Sequence, residues 1–238
     1  MKPLRPAVAG PARASLALLL AAACPPLAAE PLGLLAGRTA DPALQPALSL
    51  EAGYIVLDDG SFLGGRVNFR AAERVVLSGD VGRFEGDDDE VGLELSGTPF
   101  GVGLFYLLPE TSAVADLAVR ASYHTTDIDI DPIEGEFVAG FESDLSSSEA
   151  SVSLLASGRE ALGENGLRWF GSVGYYRTEF GGDVSAPGRG SVDIDDDSSD
   201  FGFSVGLVLP LTMGELWAGY EGIDGDGSYG GGFRYFVE

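Results

Sequence analysis

Apolar positions alternate with small or polar positions over most of the chain. Over residues 114–127, one face carries side chains such as Leu117 and Val119, and the other carries Arg120 and Ser122. Because successive side chains of a strand point to opposite faces, this period of two predicts β-strands. Residues 167–176 and 200–209 repeat the pattern, and similar segments begin near Leu48, Phe62, Arg74, Val91, Ser148, Glu215 and Ser228.

The number of strands depends on one region. The segments give about ten strands if residues 90–108 form one long bent strand, and about eleven or twelve if Gly97-Thr98-Pro99 is a turn. The range of counts open to this pattern is roughly eight to twelve. The chain is therefore predicted to be all-β, with a single antiparallel sheet.

The second face of each strand indicates the environment. In a soluble sandwich this face is exposed to water and polar. Here it consists largely of Gly, Ser and Ala with scattered Arg, Asp and Glu, which is typical of the inside of a narrow barrel. The apolar face would contact lipid, and aromatic residues near the segment ends would form an interfacial belt: Tyr54, Tyr123, Trp169, Tyr175, Tyr220 and Tyr235.

The connections between strands alternate in character. The long or acidic ones are Asp58-Asp59-Gly60, 85–90, 127–148, 181–200 and 223–227; the shorter, less acidic ones are 71–74, 109–113, 159–166 and 210–215. Outer-membrane barrels place long loops outside and short turns in the periplasm. A ten-strand barrel with both termini in the periplasm satisfies this rule, with the acidic connections facing outward.

The first 29 residues read as a cleaved export signal. Lys2, Arg5 and Arg13 precede a short apolar run at 14–23, and Leu27-Ala28-Ala29 precede Glu30. Cleavage after Ala23 and lipid attachment at Cys24 are the alternatives. Residues 30–47 show no period and are interpreted as a flexible periplasmic lead-in, and residues 48–238 as the barrel domain.

Charge and cysteine content exclude several classes of function. The chain carries 14 Lys plus Arg against 37 Asp plus Glu, a formal net charge of -23. Such a surface repels phosphate backbones, so nucleic-acid binding is excluded, whereas cations are attracted. The single Cys lies in the export segment, so the mature protein would have neither a disulfide framework nor a thiolate metal site.

The chain end is the most specific motif. Residues 228–235 place Gly230 two positions after Ser228, followed by Phe233 and Tyr235. This resembles the final-strand signal of small Gram-negative outer-membrane β-barrel proteins, although Phe236-Val237-Glu238 follow where that family usually ends on an aromatic residue. The resemblance implies contact with outer-membrane lipid, and recognition of the strand by the outer-membrane assembly machinery.

Charged side chains on the second face predict a network inside the barrel. A charge in a low-dielectric lumen needs a partner. The predicted network is Arg66, Arg70, Asp80, Glu94, Asp116, Arg120, Arg168, Glu221 and Arg234, with Arg83, Arg177, Glu51 and Glu179 as further members. It either fills the lumen as a salt-bridge plug, the preferred interpretation, or lines a charged constriction.

Acidic runs are the candidate cation sites. Carboxylate oxygens suit Ca²⁺, although no run matches the twelve-residue calcium loop. Weak Ca²⁺ binding is the functional alternative to a solvated acidic loop, and its candidate residues are Asp87, Asp88, Asp89, Asp129, Asp131, Asp195 and Asp197. No other metal or cofactor is expected.

His124 is the only histidine. Some small barrels that modify lipids use a His with a Ser or Thr, and Thr125 and Thr126 follow His124. The preferred interpretation is an interior polar residue. We therefore expect a monomeric outer-membrane barrel with a structural or surface-interaction role and no enzymatic activity. The alternatives are a narrow channel for small solutes or ions, a lipid-acting enzyme that uses His124, and a secreted soluble β-barrel.

Overall fold

All regular secondary structure in the described part of the chain is β-strand. The computed structural model describes residues 33–34, 40, 45–58, 60–88, 93–109, 114–132, 142–186 and 190–237, so the predicted export signal lies outside it. The strands are β1 (Leu48–Leu57), β2 (Gly60–Ala72), β3 (Val75–Asp88), β4 (Leu93–Gly97), β5 (Phe100–Leu107), β6 (Ala115–Pro132), β7 (Glu142–Gly158), β8 (Arg168–Ala186), β9 (Gly190–Leu211), β10 (Gly214–Ile223) and β11 (Asp226–Val237).

No helix among the described residues has the length and apolarity needed to cross a membrane.

The strands close into one antiparallel barrel. Apart from β4 and β5, strands that follow one another along the chain are hydrogen-bonded neighbours. β1 pairs with β11 to complete the ring, with Glu51 opposite Arg234. Closure matters in a bilayer because lipid cannot hydrogen bond to the unpaired N–H and C=O groups of a free sheet edge.

β4 and β5 occupy one place in the barrel, because both lie between β3 and β6. The break falls at Thr98 and Pro99, where proline lacks the N–H that a ladder needs. The Pro99 carbonyl still accepts a hydrogen bond from the Gly82 N–H at 2.9 Å. The barrel therefore has ten strands, and the prediction of about ten is confirmed. The long bent strand expected over residues 90–108 is instead broken into β4 and β5.

The barrel has two distinct ends. We call the end where β1 begins and β11 finishes the proximal end, and the opposite one the distal end. Because the strands are antiparallel, the β1–β2, β3–β4, β6–β7, β8–β9 and β10–β11 connections join at the distal end. These are the five connections that hold the acidic runs; that they face outward from the cell stays a prediction.

An apolar band surrounds the outside of the barrel. On β9 it runs from Phe201 to Leu211, which spans about 33 Å along the strand and roughly 25 Å along the membrane normal at the usual tilt. Exposed aromatic residues mark its distal border: Tyr54, Phe100, Tyr123, Tyr175, Phe201 and Tyr229. A band of this height matches the hydrocarbon core of an outer membrane.

Past this border, β3, β4 and β6 to β9 continue with the opposite polarity. Outward positions such as Asp129 and Asp195 are exposed, whereas inward positions such as Ile128 and Phe180 are buried. This part of the barrel, which we call the distal extension, leaves the bilayer and folds like a water-soluble sheet around its own apolar core.

Two apolar clusters lie inside the barrel. The larger one fills the distal end and continues down one wall to Phe170, Val208 and Trp217; its other members are Leu34, Ile55, Leu57, Phe62, Phe84, Leu95, Ile128, Ile130, Leu145, Phe180 and Val184. The smaller one lies at the proximal end and consists of Ala40, Leu107, Ala118 and Leu155. Between them, the lumen is lined by polar and charged side chains.

Candidate functional site: the charged lumen

The centre of the lumen holds a chain of buried charged groups. Arg66 on β2 donates from Nε to Asp80 Oδ1 at 2.6 Å and from Nη2 to Asp80 Oδ2 at 2.8 Å. His124 Nε2 lies 2.9 Å from the same Oδ2, and His124 Nδ1 lies 3.7 Å from Glu149 Oε1. This series of charged groups thus runs from β2 through β3 and β6 to β7.

Strand register brings these residues together. Arg66 pairs across the ladder with Asp80, and His124 pairs with Glu149. Between β3 and β6, the residue opposite both Asp80 and His124 is Gly101. A Cβ on Gly101 would collide with the His124 ring, so the glycine leaves the space in which the imidazole lies against the wall.

Further polar groups extend the network. Tyr176 donates its hydroxyl to Glu221 Oε1 at 2.8 Å, which links β8 to β10. The Arg234 guanidinium lies 2.6 Å from Glu215 Oε1, and the Arg120 guanidinium lies 5.7 Å from the centre of the Phe105 ring. Opposite charges at such distances offset part of the free energy that burial of each ion costs.

Five residues of the predicted network are buried in the lumen: Arg66, Asp80, Arg120, Glu221 and Arg234. Three others are partly buried: Arg70 donates to the Gln45 carbonyl at 2.8 Å, Asp116 Oδ1 accepts from Arg159 Nε at 2.8 Å, and Arg168 lies at the start of β8. The structure therefore brings most of the set to the barrel interior, where Arg66 and Asp80 form a direct pair.

The assignment of Glu94 to the lumen network is wrong. It is exposed on the outer face of β4, while its neighbour Leu95 is buried in the larger apolar cluster. Polar positions were predicted to face the inside, but in the distal extension the polar positions face outward and the apolar ones inward. The same inversion places two other pairs outside: Arg83 with Glu85 and Arg177 with Glu179, each more than half exposed.

Sequence reasoning missed Glu149, Tyr176 and Glu215. Glu149 shares a face with Ser147 and Ser151, so its alternation was a usable signal. Tyr176 was not recognised as a lumen residue, because the adjacent Tyr175 fits the lipid-facing pattern. Glu215 begins a strand, where too few neighbouring residues define the face.

The candidate cation residues do not form a cluster in the described residues. Asp129, Asp195 and Asp197 are exposed on outward faces of the distal extension. The side chains of Asp87, Asp88 and Asp131, and all of Asp89, lie outside the described part. Within that part, no three His, Cys, Asp or Glu residues are grouped so that they could hold a metal ion.

The final-strand motif lies in β11, the strand that closes the barrel. Phe233 and Tyr235 face outward, and Tyr235 lies in the apolar band. Gly230 pairs with Ile55 of β1 and with Gly219 of β10. The motif thus occupies the strand on which closure depends.

Closure, the outward apolar band and the aromatic border define an integral β-barrel protein of the bacterial outer membrane. A secreted soluble barrel is excluded, because large apolar side chains would then face water all round the barrel wall, Leu63, Val102, Val173 and Val205 among them.

Solved structures with a similar backbone fold include three outer-membrane proteins. The translocator domain of the autotransporter NalP from Neisseria meningitidis is 12% identical, with 81% of this chain and 89% of that chain covered and a TM-score of 0.48. OprG from Pseudomonas aeruginosa is 12% identical, covering 81% and 98%, with a TM-score of 0.45. LpxR from Salmonella typhimurium is 9% identical, covering 79% and 100%, with a TM-score of 0.45. No protein-family model and no curated protein sequence matches the chain.

Proposed function

We propose that the protein is a closed structural barrel of the outer membrane that neither conducts solutes nor catalyses a reaction. The observation that carries the proposal is the filled lumen. The larger apolar cluster fills the distal end, the smaller one lies at the proximal end, and buried ion pairs lie between them. Barrels of this size leave room for little beyond their own side chains.

The pairing of the lumen charges supports a plug over a pore. A selective constriction needs charges that face water and meet the passing solute. Here the Arg66 and Asp80 side chains are 0% and 3% exposed and bond to each other. Their hydrogen-bonding capacity is directed at the barrel itself, which is the arrangement that holds two walls together.

Planar-bilayer recording tests the proposal. The full-length protein, purified as the form that migrates faster on gels before boiling, is reconstituted beside an open general porin as the positive control. We expect no conductance steps from the protein under conditions in which the porin conducts. Reproducible single-channel steps from the wild-type protein would favour the narrow channel instead.

The enzyme alternative depends on His124. A catalytic His needs a nucleophile within hydrogen-bond reach and an acid that orients it. In the structure its two ring nitrogens face the carboxylates of Asp80 and Glu149, and the His124 side chain is 2% exposed. We expect identical lipid A mass spectra from cells that express the wild type, His124→Ala or no protein. A mass change that requires His124 would establish the enzyme.

The surface-interaction role would belong to the distal extension. Its outward positions include Asp127, Glu179 and Asp195, all exposed, and we propose that they face outward from the cell after export by residues 1–29. An epitope inserted at residues 133–141 should be labelled by antibody on intact cells, and one at residues 160–165 only after permeabilisation. The reverse pattern would invert the proposed orientation.

A further inference from the structure

Two described residues that precede β1 lie inside the barrel. Leu34 and Ala40 are each 1% exposed. Both were expected in a flexible periplasmic lead-in; the structure instead places these two residues in the lumen.

Three lumen side chains bond to the main chain of this segment. Arg66 Nη2 donates to the Leu34 carbonyl at 2.6 Å, and Arg70 Nη1 donates to the Gln45 carbonyl at 2.8 Å. Ser157 Oγ accepts from the Ala40 N–H at 2.7 Å. Two arginines and a serine on β2 and β7 thus supply hydrogen-bond partners for main-chain groups of Leu34, Ala40 and Gln45, which need such partners when they are buried.

The segment also completes both apolar clusters. Leu34 belongs to the larger cluster, and Ala40 belongs to the smaller one with Leu107, Ala118 and Leu155. A Cβ on Gly33 would collide with the His124 ring, so the main chain passes directly against the central charged group. Leu34, Gly33 and Ala40 therefore contact the larger cluster, the central charged groups and the smaller cluster, respectively.

We propose that the lumen is a binding site for polypeptide main chain, and that its occupants are the protein's own residues Gly33, Leu34, Ala40 and Gln45. This proposal rests on the closed barrel proposed above and names what completes the closure. Recognition is through main-chain groups, so it tolerates side-chain changes except where space is missing, as at Gly33. These four residues thereby act as part of an internal plug.

Engineered cysteines test where the segment lies. In a full-length background with Cys24→Ser, which removes the only native thiol, Ala40→Cys is combined with Ser157→Cys. The matched control combines Ala40→Cys with Ala156→Cys, since alternation points residue 156 outward to the lipid. Mild oxidation of outer membranes should crosslink the first pair and not the second, because only the first faces the lumen.

A crosslink between residues 40 and 157 closes a loop across 117 positions, which alters migration of the boiled, unreduced chain. Only protein that shows the heat-dependent gel shift is scored, so misfolded chains are not counted. Absence of the crosslink in folded protein, or equal crosslinking of both pairs, overturns the proposal.

A second measurement leaves the barrel strands unchanged. Ala40→Cys alone is labelled with a membrane-impermeant maleimide in permeabilised cells and compared with Leu162→Cys on the exposed proximal connection. We expect labelling at residue 40 to be at least about tenfold slower, because reaction requires local opening. Equal rates overturn the plug even if the double variants do not fold. Conductance of the wild type, together with a crosslink in the variant that combines Ala40→Cys with Ser157→Cys, would instead contradict only the closed lumen.

Discussion

Asp80 is the residue on which the lumen network converges. Its two carboxylate oxygens accept from Arg66, and one of them also contacts His124. Removing an ion from water costs several kcal/mol, and its attraction to a buried partner offsets this cost only when that partner is present and well oriented. Loss of one partner is therefore worse than loss of both, since it leaves an uncompensated buried charge.

Asp80→Asn should accordingly destabilise the barrel by about 3–5 kcal/mol. The matched control is Glu85→Gln on the same strand, which removes an ion pair with Arg83 that is 63% exposed on both sides; its effect should stay below about 1 kcal/mol. Urea unfolding of the detergent-refolded protein, followed by the heat-dependent gel shift, measures both. Similar losses in the two variants would show that burial of the Asp80 pair has no special energetic weight.

Gly101 tests the packing around His124. Gly101→Ala introduces a methyl group into the space of the imidazole ring, and overpacking of this kind costs about 1–3 kcal/mol. Gly79→Ala on β3 is the control, because its Cβ meets only the Gly101 carbonyl, at 4.0 Å. The same unfolding assay compares them. If Gly101→Ala is no less stable than Gly79→Ala, the imidazole does not occupy the position described.

Which residues enter the lumen could be predicted only where the local pattern is regular. Arg66 and Asp80 follow from alternation within neighbouring strands. The Tyr176–Glu221 contact joins side chains 45 positions apart on β8 and β10, so it depends on the registers of both strands with β9 between them. Local periodicity contains no information on such a contact.

At the level of the element, β9 passes through two environments. From Phe201 to Leu211 its outward side chains are apolar and contact lipid, whereas Asp193, Asp195 and Asp197 on the same face lie in water. The face is continuous, and only the surroundings change. A substitution on this face should therefore have an effect set by its depth.

Val205→Arg is the test at mid-band. An arginine on the lipid face of a barrel costs about 2–4 kcal/mol near the midplane and about 0–1 kcal/mol near the border. Asp195→Arg, on the same face beyond the band, is the control and should be close to neutral. Folding free energies into lipid vesicles provide the measurement. A penalty at residue 195 as large as that at residue 205 would place the band elsewhere.

The change of environment along a strand also explains why some lumen-facing positions could not be predicted from the sequence. Strand positions were predictable, including the interruption at Pro99. The assignment of Glu94 to the lumen was wrong because apolar residues line the interior beyond the membrane and the exterior within it. The burial of Leu34 and Ala40 could not be predicted for another reason. The sequence around them has no period, and their burial depends on a lumen that the strands form together.

For the whole molecule, the net charge of -23 says little about the lumen. The buried charged residues contribute little to this excess, since the three arginines Arg66, Arg120 and Arg234 accompany five acids: Glu51, Asp80, Glu149, Glu215 and Glu221. Much of the excess negative charge among the described residues lies outward on the distal extension. There the register sets like charges side by side, with Asp183 opposite both Asp144 and Asp193.

Like charges that face each other across a ladder destabilise a sheet by about 0.2–1 kcal/mol. Asp193→Asn should therefore raise the unfolding free energy by that amount at low ionic strength, and the gain should vanish near 1 M salt, where the Debye length is about 3 Å. Asp127→Asn is the control, because Asp127 is equally exposed but pairs with Ser146. Urea unfolding at both salt concentrations decides the outcome. A gain that persists at high salt, or that Asp127→Asn shares, would mean that the row of carboxylates is not the source, and that the acidic surface is tolerated without electrostatic strain.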